Sequence, residues 1–423
     1  MLFNSWEFIF FFIIICSAYF LIHYKYRPFL LLISSYSFYM YWRIDFAIIM
    51  FFITIVNFIF GLLINNANNR SIKKLFLLCT IFLSLLPLFY FKYFNFIISN
   101  INYFLQNTSY DKINLVELIL PVGISFFTFQ ALSYSLDIYF SNTKVEKNII
   151  NFSVFVSFFP QLIAGPIEKS SNLLHQFKQK HDFCAFSFIE GIKLFIWGLF
   201  KKVVIADRLS GYVDRIYDNP DLFSGSTLLI ATIFFAIQIY CDFSGYSDMA
   251  IGLAKILGFK LMKNFNLPYF AQSISDFWKR WHISLSSWFS DYLYKPLGGN
   301  RVSRTRWIIN IFIVFIVSGF WHGANWTFII WGMIHAIYYL FEIFYNRILK
   351  YNNLKQIKNN NWYNYVCTTV VFLSVCYAWI FFRAKSINDA FLISKKVLLG
   401  PYESFYFGPS SVTFTLSIFF ILI

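Results

Sequence analysis

Long apolar runs separated by short polar links make up nearly the whole chain. A helix that crosses a bilayer takes about 20 apolar residues, and runs of that order recur near residues 5–24, 28–42, 44–66, 74–98, 115–140, 151–168, 185–205, 225–258, 307–345 and 362–382, with a final run from Val412. The runs 225–258 and 307–345 exceed one bilayer thickness, so each is expected to be two helices or one broken helix. The pattern predicts an all-α integral membrane protein with about eleven transmembrane helices plus re-entrant and interfacial ones. The links around Ser99–Asn114, Glu168–Asp182, Leu261–Ser275 and Ile348–Asn361 are too short to bury a core of their own, so 1–423 reads as a single membrane-embedded domain. No internal repeat is visible, unlike many secondary transporters. The run from Val412 to Ile423 stops without a flanking charge and is too short for a full span. It is expected to be interfacial, or a span cut short.

Composition agrees with the pattern. The chain is 58% hydrophobic and only 13% charged, against about 25% charged in soluble domains. The first run lacks a basic leader and a small-residue cleavage site and carries Glu7, so it is expected to stay in the mature protein. The net charge of +15 is informative mainly through its placement. Lys25 and Arg27, then Arg70, Lys73 and Lys74, then Lys144 and Lys147 follow alternate runs, which by the positive-inside rule puts those links in the cytoplasm and the N-terminus outside. The alternation blurs after Phe159, as a re-entrant segment would cause. No basic stripe lies on a soluble domain, so no nucleic-acid partner is expected. The six cysteines show no CxxC spacing and read as buried small hydrophobes, with no metal site.

Three stretches carry candidate chemistry. In Ser273–Arg301, Ile274, Phe277, Trp278, Trp281, Leu285, Trp288, Phe289 and Tyr292 recur at helical spacing. Ser273 with Asp276 fits a capping start, and Pro296, Gly298 and Gly299 fit a stop. Ser275, Lys279, His282, Ser286 and Ser290 form the other face, the signature of an interfacial helix; His282 is the member a surface role explains poorly. The second stretch is "SGFWHGANW", Ser318–Trp326, within a segment from Trp307 to Phe341 that holds no Asp, Glu, Lys or Arg. Gly319 and Gly323 make a close-packing step, Trp321 and Trp326 suit packing or the interface, and His322 is an ionisable group in a membrane segment, a functional candidate by default. A neutral imidazole can serve as general base for a hydroxyl. His335, thirteen residues on and on roughly the opposite helical face from His322, reads as structural. Third, "QIYCDFSGYSDMAIG" sets Asp242 and Asp248 deep in an apolar run, which implies a polar or water-filled cavity, and its Ser-Gly pair suggests a break. There is no GxSxG, HExxH, GxGxxG or P-loop.

Read in order, "PVGISFFTFQALSYSLDIY", "FPQLIAGPI", "GLFKKVVIADRL", "CDFSGYSDMAIGLAK", "NFNLPY", "FWKRWHISLSSWFSDYLYKPLGGNR", "FWHGANWTFIIWG" and "AWIFFRA" resemble the membrane-bound O-acyltransferase family. The resemblance is to its bacterial branch of alginate and peptidoglycan O-acetyltransferases, and it runs from Pro121 to Ala384. It implies a ring of helices around a central tunnel where a cytoplasmic acyl donor meets an acceptor from the other face. It further implies His322 as the catalytic residue and His282 as the second signature residue. Trp321, Trp281, Asn325 and Trp326 are weaker candidates for lining the site, with Asp242 and Asp248 holding its geometry. Acetyl-CoA is the expected donor substrate, with no tightly bound cofactor. The expected partners are membrane lipids, the acyl donor, and an extracytoplasmic polysaccharide or a separate extracytoplasmic acetyltransferase. A bacterial cytoplasmic membrane is the expected location. D-alanyl transfer to teichoic acid, or transport without covalent chemistry, are the competing readings.

Overall fold

Small polar residues start several of the helices, Ser273 among them as its sequence suggests. The side chains of Ser5, Asn69, Asn148, Ser273, Ser303 and Ser386 each accept a hydrogen bond from a backbone N–H of the following first turn, satisfying donors that no helical carbonyl can reach. The computed structural model describes residues 1–106, 110–351, 361–402 and 406–408. Among them all regular structure is helical, and the chain divides into two compact units. The expected run from Val412 lies outside the described residues.

The first unit comprises Met1–Trp197 and Ser247–Met262. Its helices are α1 (Trp6–Leu21), α2 (Arg27–Met40), α3 (Ile44–Asn66), α4 (Arg70–Leu88), α5 (Phe94–Leu105), α6 (Ile124–Tyr139), α7 (Ile149–Ser157), α8 (Ser170–Leu173) and most of α9 (Ala185–Leu199). A π turn joins α4 to α5, making one 36-residue rod, Arg70–Leu105. A buried amide ties three of these helices: Asn57 Nδ2 donates to Ser84 Oγ at 2.9 Å, and Ser135 Oγ donates to Asn57 Oδ1 at 2.8 Å. In an apolar bundle such a satisfied network fixes which helices meet, because any other arrangement strands a polar group.

The second unit comprises Gly198–Tyr246 and Lys263–Ile423. It contains α10 (Asp207–Asp218), the first part of α11 (Gly225–Ile256), α12 (Ile274–Arg280), α13 (Ile283–Phe289), α14 (Arg304–His322), α15 (Trp326–Tyr351), α16 (Asn361–Arg383) and α17 (Ile387–Leu399). Its core is aromatic, with Trp281, Trp331 and Trp379 all buried.

Three expectations meet the structure here with different outcomes. The 307–345 run is two helices, α14 and α15, closing a hairpin at Gly323–Asn325. Glycine makes their contact: a Cβ on Gly319 would lie 2.2 Å from Phe328 O, and one on Gly332 would lie 2.3 Å from Phe315 O. The 225–258 run, in contrast, is one unbroken helix of 32 residues. The Ser-Gly pair does not break it, because Gly245 serves packing: a Cβ there would lie 2.7 Å from Gly198 O. The helix expected across Ser273–Arg301 is interrupted at His282, which separates α12 from α13.

Among the described residues six helices or rods are long and apolar enough to cross a membrane: Ile44–Asn66, Arg70–Leu105, Gly225–Ile256, Arg304–His322, Trp326–Ile348 and Asn361–Arg383. Helices α1, α2, α6 and α9 have 14 to 16 residues, short of the ~20 a perpendicular crossing takes.

Candidate active site

His282 occupies a left-handed backbone conformation, φ +43°, rare for a residue with a side chain and costing on the order of 1–3 kcal/mol. The segment Asn264–Asn266 holds it there. Ile283 N donates to Asn264 O at 2.9 Å and Asn266 N donates to Arg280 O at 2.9 Å, one bond on either side of the break. The Asn264 side chain completes the clamp: Ser284 N and Ser284 Oγ donate to its Oδ1 at 3.2 and 2.9 Å, and His282 Nδ1 lies 3.2 Å from the same oxygen. A backbone N–H can only donate, so the shared atom is the amide oxygen. His282 Nδ1 must therefore carry the proton and Nε2 the lone pair. The imidazole is buried edge-on to Phe243, ring centroids 4.6 Å apart. Burial pushes it down to about 3, so it is neutral at physiological pH. This corrects the placement of His282 on the polar face of an interfacial helix.

His322 is the last residue of α14 and only half-buried. Aromatic edges and faces surround its ring: Trp321 at 4.9 Å, Trp331 at 5.2 Å and Phe382 at 5.2 Å between centroids. The His282 ring is 6.4 Å away, and Trp321 touches both histidines. Behind this wall Trp331 stacks on Trp379 at 5.8 Å, and Trp379 meets Trp281 at 5.1 Å. Two histidines forty residues apart in sequence thus share one aromatic chamber, one locked as a fixed tautomer and one at an accessible helix end. His335 lies on α15 rather than on the helix of His322. Its fully buried ring packs edge-on to Trp331 at 4.9 Å, on the far side of the wall.

The weaker candidates separate. Trp321 and Trp281 belong to the chamber. Asn325 caps α15, its Oδ1 accepting from Thr327 N at 3.1 Å while Nδ2 donates to Lys385 O at 3.1 Å. Trp326 is exposed. Asp242 is neutralised by Lys202, whose Nζ also reaches Asp207, both at 2.6 Å, so the carboxylate is compensated by a cation from the next segment. Asp248 is half-buried and falls in the part of α11 that belongs to the first unit. Among the described residues no group of three or more His, Cys, Asp or Glu side chains could hold a metal ion.

Sequence reasoning missed Asn264, Trp331, Phe382 and Lys202 as contributors. Four of the stretches quoted above contain Asn264, Trp331, Phe382 and Lys202, but nothing in helical spacing marks an asparagine in a loop as the partner of a distant histidine.

Comparison with known proteins places the chain in a family. The model of the membrane-bound O-acyltransferase family matches residues 143–384. A protein named probable alginate O-acetylase from Pseudomonas aeruginosa is 40% identical over 92% of this chain and 73% of its own length. The peptidoglycan O-acetyltransferase of Helicobacter pylori is 36% identical over 86% of this chain and 72% of its own. The teichoic acid D-alanyltransferase of Bacillus subtilis is 28% identical over 64% and 71%. A family model across more than half of the chain, and relatives that align along most of it, establish that this multi-pass membrane protein belongs to the membrane-bound O-acyltransferase family and is an O-acyltransferase.

Proposed function

We propose that the chain moves acetyl groups from a cytoplasmic donor, acetyl-CoA, across the bacterial cytoplasmic membrane for O-acetylation of an extracytoplasmic polysaccharide, an alginate-like exopolysaccharide or peptidoglycan. The observation that carries the reading is the pairing of His322 with His282 in one aromatic chamber, ring centroids 6.4 Å apart, in a chain similar to O-acetylating enzymes for both polymer types. In this reading 1–423 is a single membrane-embedded domain of about eleven spans, forming a ring around a central tunnel. Its acceptor is the polymer or a separate extracytoplasmic acetyltransferase that relays the group.

An acetyl thioester is already activated, so the chemistry needs little beyond a positioned base. The acceptor hydroxyl oxygen attacks the acetyl carbonyl while His322 takes its proton; the carbon–sulfur bond then breaks, and the thiol leaves with a proton returned by the same imidazole. The imidazolium formed in between sits at the carboxyl end of a 19-residue helix, where the helix dipole favours positive charge. His282 acts as the positioning partner: Nδ1 is engaged by Asn264, so Nε2 is the nitrogen that can accept from the acceptor or from its neighbour. The aromatic wall lowers the local dielectric, which strengthens each of these interactions.

The test is the ester-linked acetate in peptidoglycan and exopolysaccharide fractions, measured separately, from cells carrying the intact chain or His322→Ala at matched membrane levels. Loss from one fraction identifies the acceptor and supports His322 as base. Unchanged acetate in every fraction would sink the acetylation reading in favour of D-alanyl transfer, the activity named for the Bacillus subtilis relative.

A further inference from the structure

The hairpin of α14 and α15 has a second end. At about 1.5 Å per residue, the 19-residue α14 sets its first turn roughly 27 Å from His322, about the thickness of a hydrocarbon core. There the first turn of α14 and the last turns of α15 border an open cavity of about 480 Å³, whose wall includes Tyr294, Asn300, Arg304, Trp307, Tyr339 and Arg347. Both guanidiniums lean on the same ring: Arg304 lies 4.9 Å and Arg347 6.0 Å from the centroid of Phe344, and Arg347 is also 6.0 Å from that of Trp307.

Two like charges are thus drawn to one place without a counter-charge. Among the described residues neither Arg304 nor Arg347 has a side-chain ion pair or hydrogen bond. The sequence explains why: between Arg280 and Asp389 the only carboxylates are Asp291 and Glu342, and both are committed elsewhere. Asp291 pairs with Lys295 at 2.6 Å, and Glu342 accepts from Ser275 N and Oγ at 3.0 and 2.6 Å. Neutral donors are built in beside the cations. Trp307 Nε1 donates to Tyr294 Oη at 3.1 Å, which leaves the phenol's own O–H to donate outward. Left-handed glycines, Gly298 at φ +101° and Gly299 at φ +54°, turn the chain so that Asn300 joins the wall. Asn310 Nδ2 pins that loop through Leu297 O at 3.1 Å.

Forked guanidiniums with hydroxyl and amide donors match the oxygens of a phosphate. A basic pocket between span ends, flanked by Trp and Tyr, lies at headgroup depth. We propose that this cavity binds a phosphate group, clasped by Arg304 and Arg347 and carried either by an anionic lipid headgroup or by a phosphate-bearing acyl donor. The site lies apart from the histidine chamber and stands whichever acyl group the chain transfers.

The experiment uses the purified full chain in bilayers of phosphatidylcholine with about one-fifth phosphatidylglycerol, followed by quantification of the lipid retained after mild detergent washing. Phosphatidylglycerol should be enriched over its mixing ratio by about tenfold. The enrichment should vanish in Arg304→Gln/Arg347→Gln, survive in His322→Ala, and persist in large part in the charge-keeping Arg304→Lys/Arg347→Lys, which controls for folding. Displacement of that lipid by millimolar coenzyme A would assign the pocket to the donor's phosphates, and no displacement would assign it to the headgroup. Lipids retained in their mixing ratio by the unsubstituted chain, together with coenzyme A binding that ignores both arginines, would overturn the proposal.

Discussion

The two interruptions that bear histidines, Trp281–His282 between α12 and α13 and His322–Asn325 between α14 and α15, are built in opposite ways. The first is a strained backbone held by a distant segment: a left-handed histidine, buried and neutral, clamped by three hydrogen bonds to Asn264 Oδ1 and two flanking main-chain bonds. The second is a relaxed helix end. His322 keeps helical geometry, Gly323 continues in extended backbone, and Asn325 caps the next helix. Strain and burial suit a group that must not move or titrate; an unstrained, half-exposed helix end suits one that meets a substrate and exchanges a proton. The division of labour proposed for the histidines rests on this difference.

The largest effect that tests the comparison is at the relaxed end. His322→Ala should lower acetyl transfer by about 10²–10⁴-fold, the range for loss of a general base, while leaving the melting temperature within error. A large fall in melting temperature would mean that His322 is structural. At the strained end, Asn264→Ala should do both kinds of damage. It leaves buried donors of His282 and Ser284 unsatisfied, costing on the order of 1–3 kcal/mol of stability, and by freeing the imidazole to turn it should lower turnover by roughly 10²-fold. Stability lost with turnover intact would strip His282 of its positioning role.

Gly319→Ala comes next. Its Cβ would meet Phe328 O at 2.2 Å, so α14 and α15 must separate; overpacking of this kind costs about 1–3 kcal/mol, read as a lowered melting temperature in detergent. A pH dependence of stability tests the strained end separately. His282 is held near 3 in the folded chain against about 6.5 when unfolded, so the unfolded state binds the extra proton. Its contribution is fully present above about pH 6.5 and is lost progressively as pH falls toward 3. His282→Gln should flatten that part of the melting curve, and an acid limb that this substitution leaves unchanged would mean that the buried imidazole is not what titrates there.

The fold was legible where local physics decides it. Apolar runs marked the six long helices of the described residues, a polar cap marked the helix start at Ser273, and the glycines near His322 marked a close helix contact. The break at His282 was not legible, because Trp278, Trp281, Leu285 and Trp288 keep helical spacing straight through it. The opposite error arose at Gly245, where a glycine suited to breaking a helix instead lets it approach Gly198.

By itself, the sequence determined the class of molecule and singled out its candidate reactive groups. Hydrocarbon demands long apolar helices, and an imidazole in a segment otherwise free of charge has few reasons to be there. Only the tertiary structure decided which groups meet and in what state. The partner of His282 is an asparagine in a loop, the counter-charge of Asp242 comes from Lys202, and Arg304 with Arg347 has none among the described residues. These are relations between residues far apart in the chain, set by packing of whole helices, and no periodicity within one helix can encode them.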